Sequence, residues 1–180
     1  MAKNKNWIIL VCFLWGWNSC FSQSLLRDSL ISIAESQVGV REFTGNNDGT
    51  EVELYLQSVN LGKGYAWCAA FVTWCHDQAG IDNPRSAWSP DWFKKNVVYS
   101  RGKPTIEIFK SKPGQVFGLY FESKGRIAHV GIIIKEDKLH YITIEGNTDG
   151  SGGREGDGVY KKIRTKRSIY KISDYIEDGT

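Results

Sequence analysis

Cys68 is the residue of this sequence best placed for covalent chemistry. It begins a predicted helix, Trp67–Ala79, directly after the glycine-containing segment 61–64. The attacking form of a cysteine is the thiolate, and the free N–H groups and the dipole at a helix N-terminus stabilise it. The same N–H groups stabilise an oxyanion formed on attack. The position therefore predicts Cys68 as a nucleophile, with its own N–H as one oxyanion donor, whereas Cys75, two turns deeper, fits a buried apolar thiol.

A nucleophilic cysteine needs a base within hydrogen-bond reach, and the sequence offers three histidines. His76 lies on the cysteine helix, more than two turns from Cys68, so it cannot reach the sulfur, and we expect it near the surface. His129 and His140 lie in predicted strands. Alternation puts His140 on the face of its strand opposite to that of Glu145. The pattern favours His129 as the base.

The hairpin that joins these two strands decides what can orient His129. A three-residue loop at 136–138 places His129 opposite Glu145 on one face of the sheet, whereas a two- or four-residue loop separates their faces. With the odd loop, Glu145, or Asn147 just beyond it, can orient the imidazole. The sequence then predicts a Cys–His–polar constellation.

The elements that must position these residues change character along the chain. The first half has apolar residues at helical spacing, and the second half has short runs rich in Val, Ile and Tyr. Short connections between successive strands imply an antiparallel sheet, and helices followed by strands imply an α+β domain with the cysteine helix on the sheet. Helices are predicted over 25–38, 50–59, 67–79 and 88–95, and strands over 114–121, 129–134, 139–145, 158–164 and 168–172.

The N-terminal segment is typical of a secretory signal peptide. Two early lysines precede an apolar run at 7–17, and Cys20 and Ser22 are spaced for cleavage after Ser22. We expect a signal at 1–22, a single domain at 23–180, and a secreted or periplasmic bacterial protein. An uncleaved anchor and lipidation of Cys20 are the alternatives. After cleavage only Cys68 and Cys75 remain, and their Cα atoms lie about 10 Å apart on one helix, too far for a disulfide.

The net charge of +3 comes with a group of basic residues near the C-terminus. The favoured interpretation is a solvated strand edge, where lysines prevent aggregation, and the alternative is attraction to an anionic cell wall. No basic patch with interleaved aromatic residues indicates a nucleic-acid partner. The group consists of Lys161, Lys162, Arg164, Lys166 and Arg167.

Three segments together resemble the CHAP family, the cysteine, histidine-dependent amidohydrolases/peptidases. Residues 65–72 (YAWCAAFV) are similar to its cysteine motif, residues 128–132 (AHVGI) to its histidine motif, and residues 145–147 (EGN) to its third motif. The order and spacing also match, and the resemblance extends from about Val38 to Tyr170. Each motif alone is weakly specific, but the ordered set is strong.

The resemblance implies a papain-like α+β fold and hydrolysis of amide or peptide bonds of peptidoglycan, by amidase or endopeptidase action. Cys68 is then the nucleophile and His129 the general base and acid. Glu145 and Asn147 are the orienting or oxyanion-supporting groups. Some members bind calcium in an acidic loop before the cysteine, but 61–65 has no carboxylate here, although Asn46, Asn47, Asp48 and Glu51 lie upstream. We expect no required metal, no cofactor, peptidoglycan as the partner, no stable membrane insertion after signal cleavage, and a monomer.

Aromatic residues near the motifs are candidates for the substrate groove. We predict substrate contacts for Tyr65, Trp67, Trp88 and Trp92, although the helical spacing of Trp67 and Trp74 also fits a core position. Three other functions stay open at this point. They are a papain-like peptidase acting on proteins, a catalytically silent wall-binding module, and an effector toxin.

Overall fold

The computed structural model describes residues 22–102, 109–150 and 156–176. The predicted signal peptide at 1–22 and Cys20 therefore fall essentially outside the described residues. Among the residues that are described, we find no helix with the length and hydropathy needed to cross a membrane.

In the described residues, three α-helices precede the sheet. Helix α1 covers residues 22–36, α2 is Thr50–Gln57 and α3 is Cys68–Gln78. The apolar spacing that predicts α1 puts Leu30 and Ala34 in the core, where both are fully buried. A 3-10 helix, Ser89–Phe93, stands where the sequence predicts a short fourth helix.

The part of the chain that the structure describes contains six antiparallel strands, which form one sheet in the order β1-β6-β2-β3-β4-β5. The sequence analysis predicts five of them and misses the short strand before them. The strands are β1 (Val97–Ser100), β2 (Val116–Phe121), β3 (Arg126–Glu136), β4 (His140–Thr148), β5 (Gly158–Thr165) and β6 (Lys171–Ser173).

Two apolar clusters lie on the two faces of this sheet. Val116 and Ile132 belong to the cluster that includes the helices, and their neighbours Phe117 and Ile133 belong to the smaller cluster on the other face. This period of two is the alternation expected of a strand buried on both sides. The predicted α+β arrangement, with N-terminal helices packed on a C-terminal antiparallel sheet, is confirmed.

Helix α3 approaches β4 most closely at Gly146. A Cβ atom at this position would stand 2.6 Å from the Trp67 ring and 2.8 Å from the Phe71 side chain, closer than such atoms can approach. Gly146 therefore allows the start of α3 to lie directly against the strand that carries Glu145. The glycine of the third motif sets the distance between the two elements that build the site.

Candidate active site

Cys68 is the first residue of α3 and is 6% exposed. Trp67 is the N-cap, and its carbonyl accepts the first helical hydrogen bond, from Phe71 N, at 2.8 Å. The first N–H groups of a helix have no intrahelical acceptor, so the Cys68 N–H lies in the donor-rich first turn beside the sulfur. The structure therefore places the sulfur where the sequence predicts it.

His129 and Glu145 meet on neighbouring strands. The His129 Nε2 and Glu145 Oε2 atoms are 2.8 Å apart, and Glu145 is fully buried. Since Nε2 is used in this way, Nδ1 is the ring nitrogen that remains for the hydrogen bond between His129 and Cys68. A sulfur, an imidazole and a carboxylate thus lie in a row.

The β3–β4 register differs from the predicted one. The loop is 137–139, not 136–138, a bulge lies between Ile133 and Lys135, and Ile132 pairs with Ile144. Continuing this pairing puts Gly131 opposite Glu145, so His129 is the diagonal neighbour on the same face. Beside the loop Glu136 pairs with Tyr141, a register that alone would put His129 and Glu145 on opposite faces, and the extra residue of the bulge returns them to one face. The predicted face is therefore right, and the predicted direct opposition is wrong.

Gly131 makes the diagonal contact possible. A Cβ atom there would stand 2.8 Å from Glu145 Cγ and 2.8 Å from the Phe117 ring. The Glu145 side chain can therefore lie across Gly131 to reach the imidazole. The glycine of the histidine motif has a steric role at the site that the sequence analysis did not identify.

The electrostatics favour an ion pair between Cys68 and His129. Burial opposes a charged sulfur, but the hydrogen bond and the charge of His129 lower the pKa of the Cys68 thiol below its usual range. Burial likewise opposes a charged imidazole, but the hydrogen bonds with Cys68 and Glu145 raise the pKa of His129 to about 9. Both shifts favour the thiolate–imidazolium form of the pair over the neutral thiol and imidazole.

Glu145 stays ionised because a second cation holds it. Burial alone would raise its pKa, but hydrogen bonds from Arg164 and His129 lower the pKa well below that of an ordinary carboxylic acid. Arg164 Nε donates to Oε1 at 2.8 Å, Arg164 Nη2 donates to Oε2, and Thr143 Oγ1 donates to Oε1 at 2.6 Å. The carboxylate is thereby fixed in the orientation that accepts from His129.

Arg164 corrects the interpretation of the basic C-terminal group as a solvated strand edge. Strand β5 is an edge strand, but Arg164 reaches inward to Glu145, and Lys166 is buried and forms an ion pair with Glu136 at 2.7 Å. The alternating pattern of strand β5 does not indicate that the Arg164 side chain pairs with the buried Glu145 carboxylate. The sequence analysis therefore missed Arg164 and Thr143.

Asn147 lies at the site but makes no hydrogen bond to His129 among the described contacts. Its Oδ1 atom accepts from the Trp67 N–H at 3.1 Å. Its amide nitrogen donates to Asn47 Oδ1 and Gly156 O, both at 3.1 Å, and to Glu42 Oε1 at 3.5 Å. Asn147 therefore holds the peptide that precedes the nucleophile, and Glu145 alone orients the imidazole.

A cleft of about 600 Å³ opens over Cys68 and His129. Polar and apolar groups share its walls, and Asn147 and Arg164 also face it. A turn after β2 forms its rim, with Glu122, Ser123 and Lys124. The cleft is large enough for an extended peptide segment and leads to the sulfur.

Two of the four predicted aromatic contacts are wrong. Trp67 and Trp92 are fully buried, because Trp67 packs against Tyr55 and donates to Glu42 Oε1 at 2.8 Å while Trp92 packs against His76. Tyr65 and Trp88 are 57% and 50% exposed, so their contacts with substrate stay predictions.

His76 corrects a further expectation. It is fully buried rather than near the surface, because its ring packs against Trp92 and Tyr175. Burial lowers the pKa of His76 to about 4. Its Nδ1 atom lies 2.8 Å from the Val72 carbonyl, within its own helix.

The upstream segment that offers oxygen ligands is held by turn hydrogen bonds. Both Asp48 carboxylate oxygens accept from Thr44, and the Asn47 N–H donates to Glu42 Oε2 at 2.9 Å. Within the described ranges no group of three or more His, Cys, Asp or Glu side chains is arranged to hold a metal. The independence from metal stays a prediction.

The comparison with known proteins places the site within a domain family. Residues 60–147 match the family model of the CHAP domain. This range contains Cys68, His129, Glu145 and Asn147. No curated protein matches the chain.

Two solved structures resemble the chain in outline. An NlpC/P60 family protein from Bacillus cereus ATCC 10987 has 14% identity and a TM-score of 0.48, covering 84% of this chain and 40% of its own. A protein described as similar to lipoprotein, NLP/P60 family, from Staphylococcus aureus subsp. aureus Mu50 has 15% identity and a TM-score of 0.46, covering 85% of this chain and 42% of its own. The chain thus spans less than half the length of either protein.

The residues matched by the family model include the residues that meet at the candidate site. CHAP domains are typically cysteine hydrolases, and the matched range begins before the nucleophile and ends at the last residue of the third motif. The CHAP resemblance predicted from the three motifs is therefore confirmed, since residues 60–147 match the CHAP domain model.

Proposed function

We propose that this protein is a peptidoglycan hydrolase that cleaves amide or peptide bonds of the cell-wall stem peptide, as an amidase or an endopeptidase. The observation that carries the proposal is the buried hydrogen bond between His129 and Glu145 beside the Cys68 sulfur, at the base of an open cleft. The CHAP domain supports the substrate class. A silent wall-binding module would not need an ion pair held at such a cost in desolvation.

The proposed reaction is an acyl transfer in two steps. The Cys68 thiolate attacks the carbonyl carbon, and the Cys68 N–H stabilises the oxyanion. The imidazolium of His129 then gives its proton to the leaving amine, and a thioester remains. The neutral imidazole removes a proton from water, which attacks the thioester, releases the carboxylic acid and restores the thiolate–imidazolium pair.

Glu145 serves both steps without exchanging a proton. Its charge, held by Arg164, favours the imidazolium before the first step and orients the ring throughout. We further propose that the protein is exported by the segment at 1–22, meets peptidoglycan outside the cytoplasm, and acts as a monomer without a cofactor. The mature N-terminus, read by mass spectrometry, tests export: a start at Met1 contradicts it.

Digestion of purified sacculi tests the activity. Wild-type protein should release soluble fragments, and Cys68→Ala should not. Cys75→Ala is the matched control, because Cys75 is a buried thiol of the same helix outside the site, and it should digest sacculi at a rate similar to wild type. Equal digestion by wild type and Cys68→Ala would refute the mechanism.

The masses of the products separate the possible bonds. A freed stem peptide with intact glycan indicates an amidase, and a split cross-bridge indicates an endopeptidase. Casein, assayed in parallel, tests the alternative of a protein-directed peptidase. Cleavage of casein with no release from sacculi would contradict the proposed substrate while leaving the chemistry of Cys68 in place.

A further inference from the structure

Ser89 brings a hydroxyl group to the nucleophile from a separate element. It is the first residue of the 3-10 helix Ser89–Phe93, and its Oγ atom lies 3.6 Å from Cys68 Sγ. The side chain is buried, with only 4% of the residue exposed. A hydrogen bond to sulfur is normally longer than one to oxygen, so this distance is within contact range.

The 3-10 helix holds the hydroxyl in place. Pro90, the second residue of the helix, fixes its backbone, and the side chains of Trp92 and Phe93 are buried. Gly118 on β2 leaves room for Phe93, since a Cβ atom there would stand 2.6 Å from the Phe93 ring. The hydroxyl is thus preorganised by packing and does not depend on a flexible loop.

A second serine holds the turn before this helix but does not contact the sulfur among the described contacts. Ser86 Oγ donates to Asp91 Oδ2 at 2.6 Å and accepts from the Trp88 N–H at 3.0 Å. The chain therefore offers two serines in one turn, of which Ser89 alone lies against Cys68. This pair allows the hydroxyl to be tested separately from the turn.

We propose that Ser89 is a positioning residue that donates its O–H to the Cys68 sulfur and so holds the nucleophile as a thiolate between turnovers. The proposal rests on the proposed function, because it concerns the same sulfur. A thiolate carries no proton, so the hydroxyl is the donor and the sulfur the acceptor. The His129 imidazolium donates to the same sulfur from strand β3, and the Ser89 hydroxyl donates from the 3-10 helix.

Donation by both Ser89 and His129 to the Cys68 sulfur changes how the thiolate depends on pH. A hydroxyl stays neutral at every working pH, so its stabilisation of the thiolate persists where the imidazole loses its proton. Removing it lowers the thiolate fraction on the acidic side of the pH range, and a sufficiently high pH compensates for the loss. A residue with a merely structural role would lower the rate at every pH alike.

The test is the rate of Cys68 alkylation by iodoacetamide as a function of pH, followed by peptide mapping on the full chain. Wild type, Ser89→Ala, Ser89→Thr and Ser86→Ala are compared. In Ser89→Ala the midpoint should rise by about 1–2 pH units, as expected for one hydrogen bond to a charged group. Ser89→Thr keeps the hydroxyl and should retain the wild-type midpoint, and Ser86→Ala should do so as well.

An unchanged midpoint in Ser89→Ala overturns the proposal, and so does an equal rise in Ser86→Ala, which would assign the effect to the turn. Should Ser89→Thr pack poorly, the comparison of the two alanine variants still decides. Because alkylation uses no peptidoglycan, the result is independent of the substrate. A shifted midpoint in a protein that leaves sacculi intact would refute the proposed function and keep the role of Ser89.

Discussion

The charges of Cys68 and His129 set the pH range of the reaction. The pKa of the thiol is lowered and that of the imidazole is raised to about 9, so both shifts favour the form in which a thiolate and an imidazolium coexist. We expect kcat/KM to be bell-shaped in pH. It should rise as the thiol loses its proton, below the pKa of a free thiol, and fall near pH 9 as His129 loses the proton that the leaving amine needs. An activity that keeps rising through pH 9 would contradict the ion pair.

Glu145→Gln tests the partner of the imidazole. The amide keeps the shape of the side chain but removes the charge that favours the imidazolium, so the pKa of His129 should fall and the upper limb of the pH profile should move to lower pH. We expect a loss in kcat/KM of about 100-fold, at the low end of the range for general acid–base catalysis.

An exposed pair of the same type serves as the control. His140 and Asp137 lie 3.4 Å apart at the β3–β4 turn, away from the cleft. Asp137→Asn should leave kcat/KM within twofold of wild type. A wild-type pH profile in Glu145→Gln would show that the carboxylate does not act on His129.

At the scale of elements, the contact between β3 and β4 depends on Gly131, which has no side chain. Gly131→Ala places a methyl group 2.8 Å from Glu145 Cγ and from the Phe117 ring. We expect the unfolding free energy to fall by about 1–3 kcal/mol, the usual range for overpacking. We also expect a clear loss of kcat/KM, because Glu145 must move from His129.

Gly62→Ala is the matched substitution for this measurement. No heavy atom lies within 4 Å of the added Cβ atom, and the backbone at Gly62 is not left-handed. Urea unfolding of both variants separates steric conflict from the general effect of replacing a glycine. Equal and small changes in the two variants would refute the role of Gly131.

The loop before α3 depends on Asn147. Asn147→Gly removes the acceptor of the Trp67 N–H while keeping the left-handed φ of 52° that glycine also adopts. We expect the unfolding free energy to fall by about 1–3 kcal/mol, since a buried donor loses its partner. The limb of the pH profile near 9 should stay in place, because Asn147 does not bond to His129.

Asn96→Gly provides the comparison, since Asn96 is exposed and has a φ of 55°. It should change the unfolding free energy by no more than about 0.5 kcal/mol, as is usual for surface substitutions. If Asn147→Gly moves the upper limb of the pH profile, Asn147 acts on the imidazole after all.

The elements were predictable from the sequence where the apolar pattern is local. Helix α3 begins at Cys68, one residue after its predicted start, and Trp67 is its N-cap. Strand β1 was missed because it has only four residues and pairs with β6, far along the chain. The bulge in β3 was missed because no residue type specifies it.

At the scale of the whole molecule, the sequence predicted which side chains meet at the candidate site but not which groups hold them there. The spacing of Cys68, His129 and Glu145 follows from motifs and strand alternation. Arg164, Ser89 and Gly131 contribute through distances between elements that no local pattern encodes. Burial also depends on tertiary packing: His76 lies in a polar stretch of α3, so the sequence predicts a surface position for it, although it is fully buried.

That histidine, His76, connects the packing of the whole molecule to pH. Its ring centroid lies 4.9 Å from that of Trp92 and 6.2 Å from that of Tyr175, so α3, the 3-10 helix and the segment after β6 meet around it. In the described part of the chain its Nε2 atom has no hydrogen-bond partner. Protonation would therefore bury an uncompensated charge where three elements pack together.

The molecule should lose stability in acid through this residue. Because the pKa of His76 is lowered to about 4 in the folded state, the unfolded chain binds the proton first. The stability that neutral His76 contributes is complete above pH 6.5 and is lost as the pH falls toward 4, in total by about 3 kcal/mol.

His76→Phe keeps a ring in the cluster but cannot titrate, so its unfolding free energy should fall by about 3 kcal/mol less than that of wild type between pH 7 and pH 4. Urea unfolding at both pH values measures this difference, and all other titrating groups cancel between the two proteins. Parallel losses in wild type and variant would show that the cluster opens, or admits water, before His76 has to bind its proton.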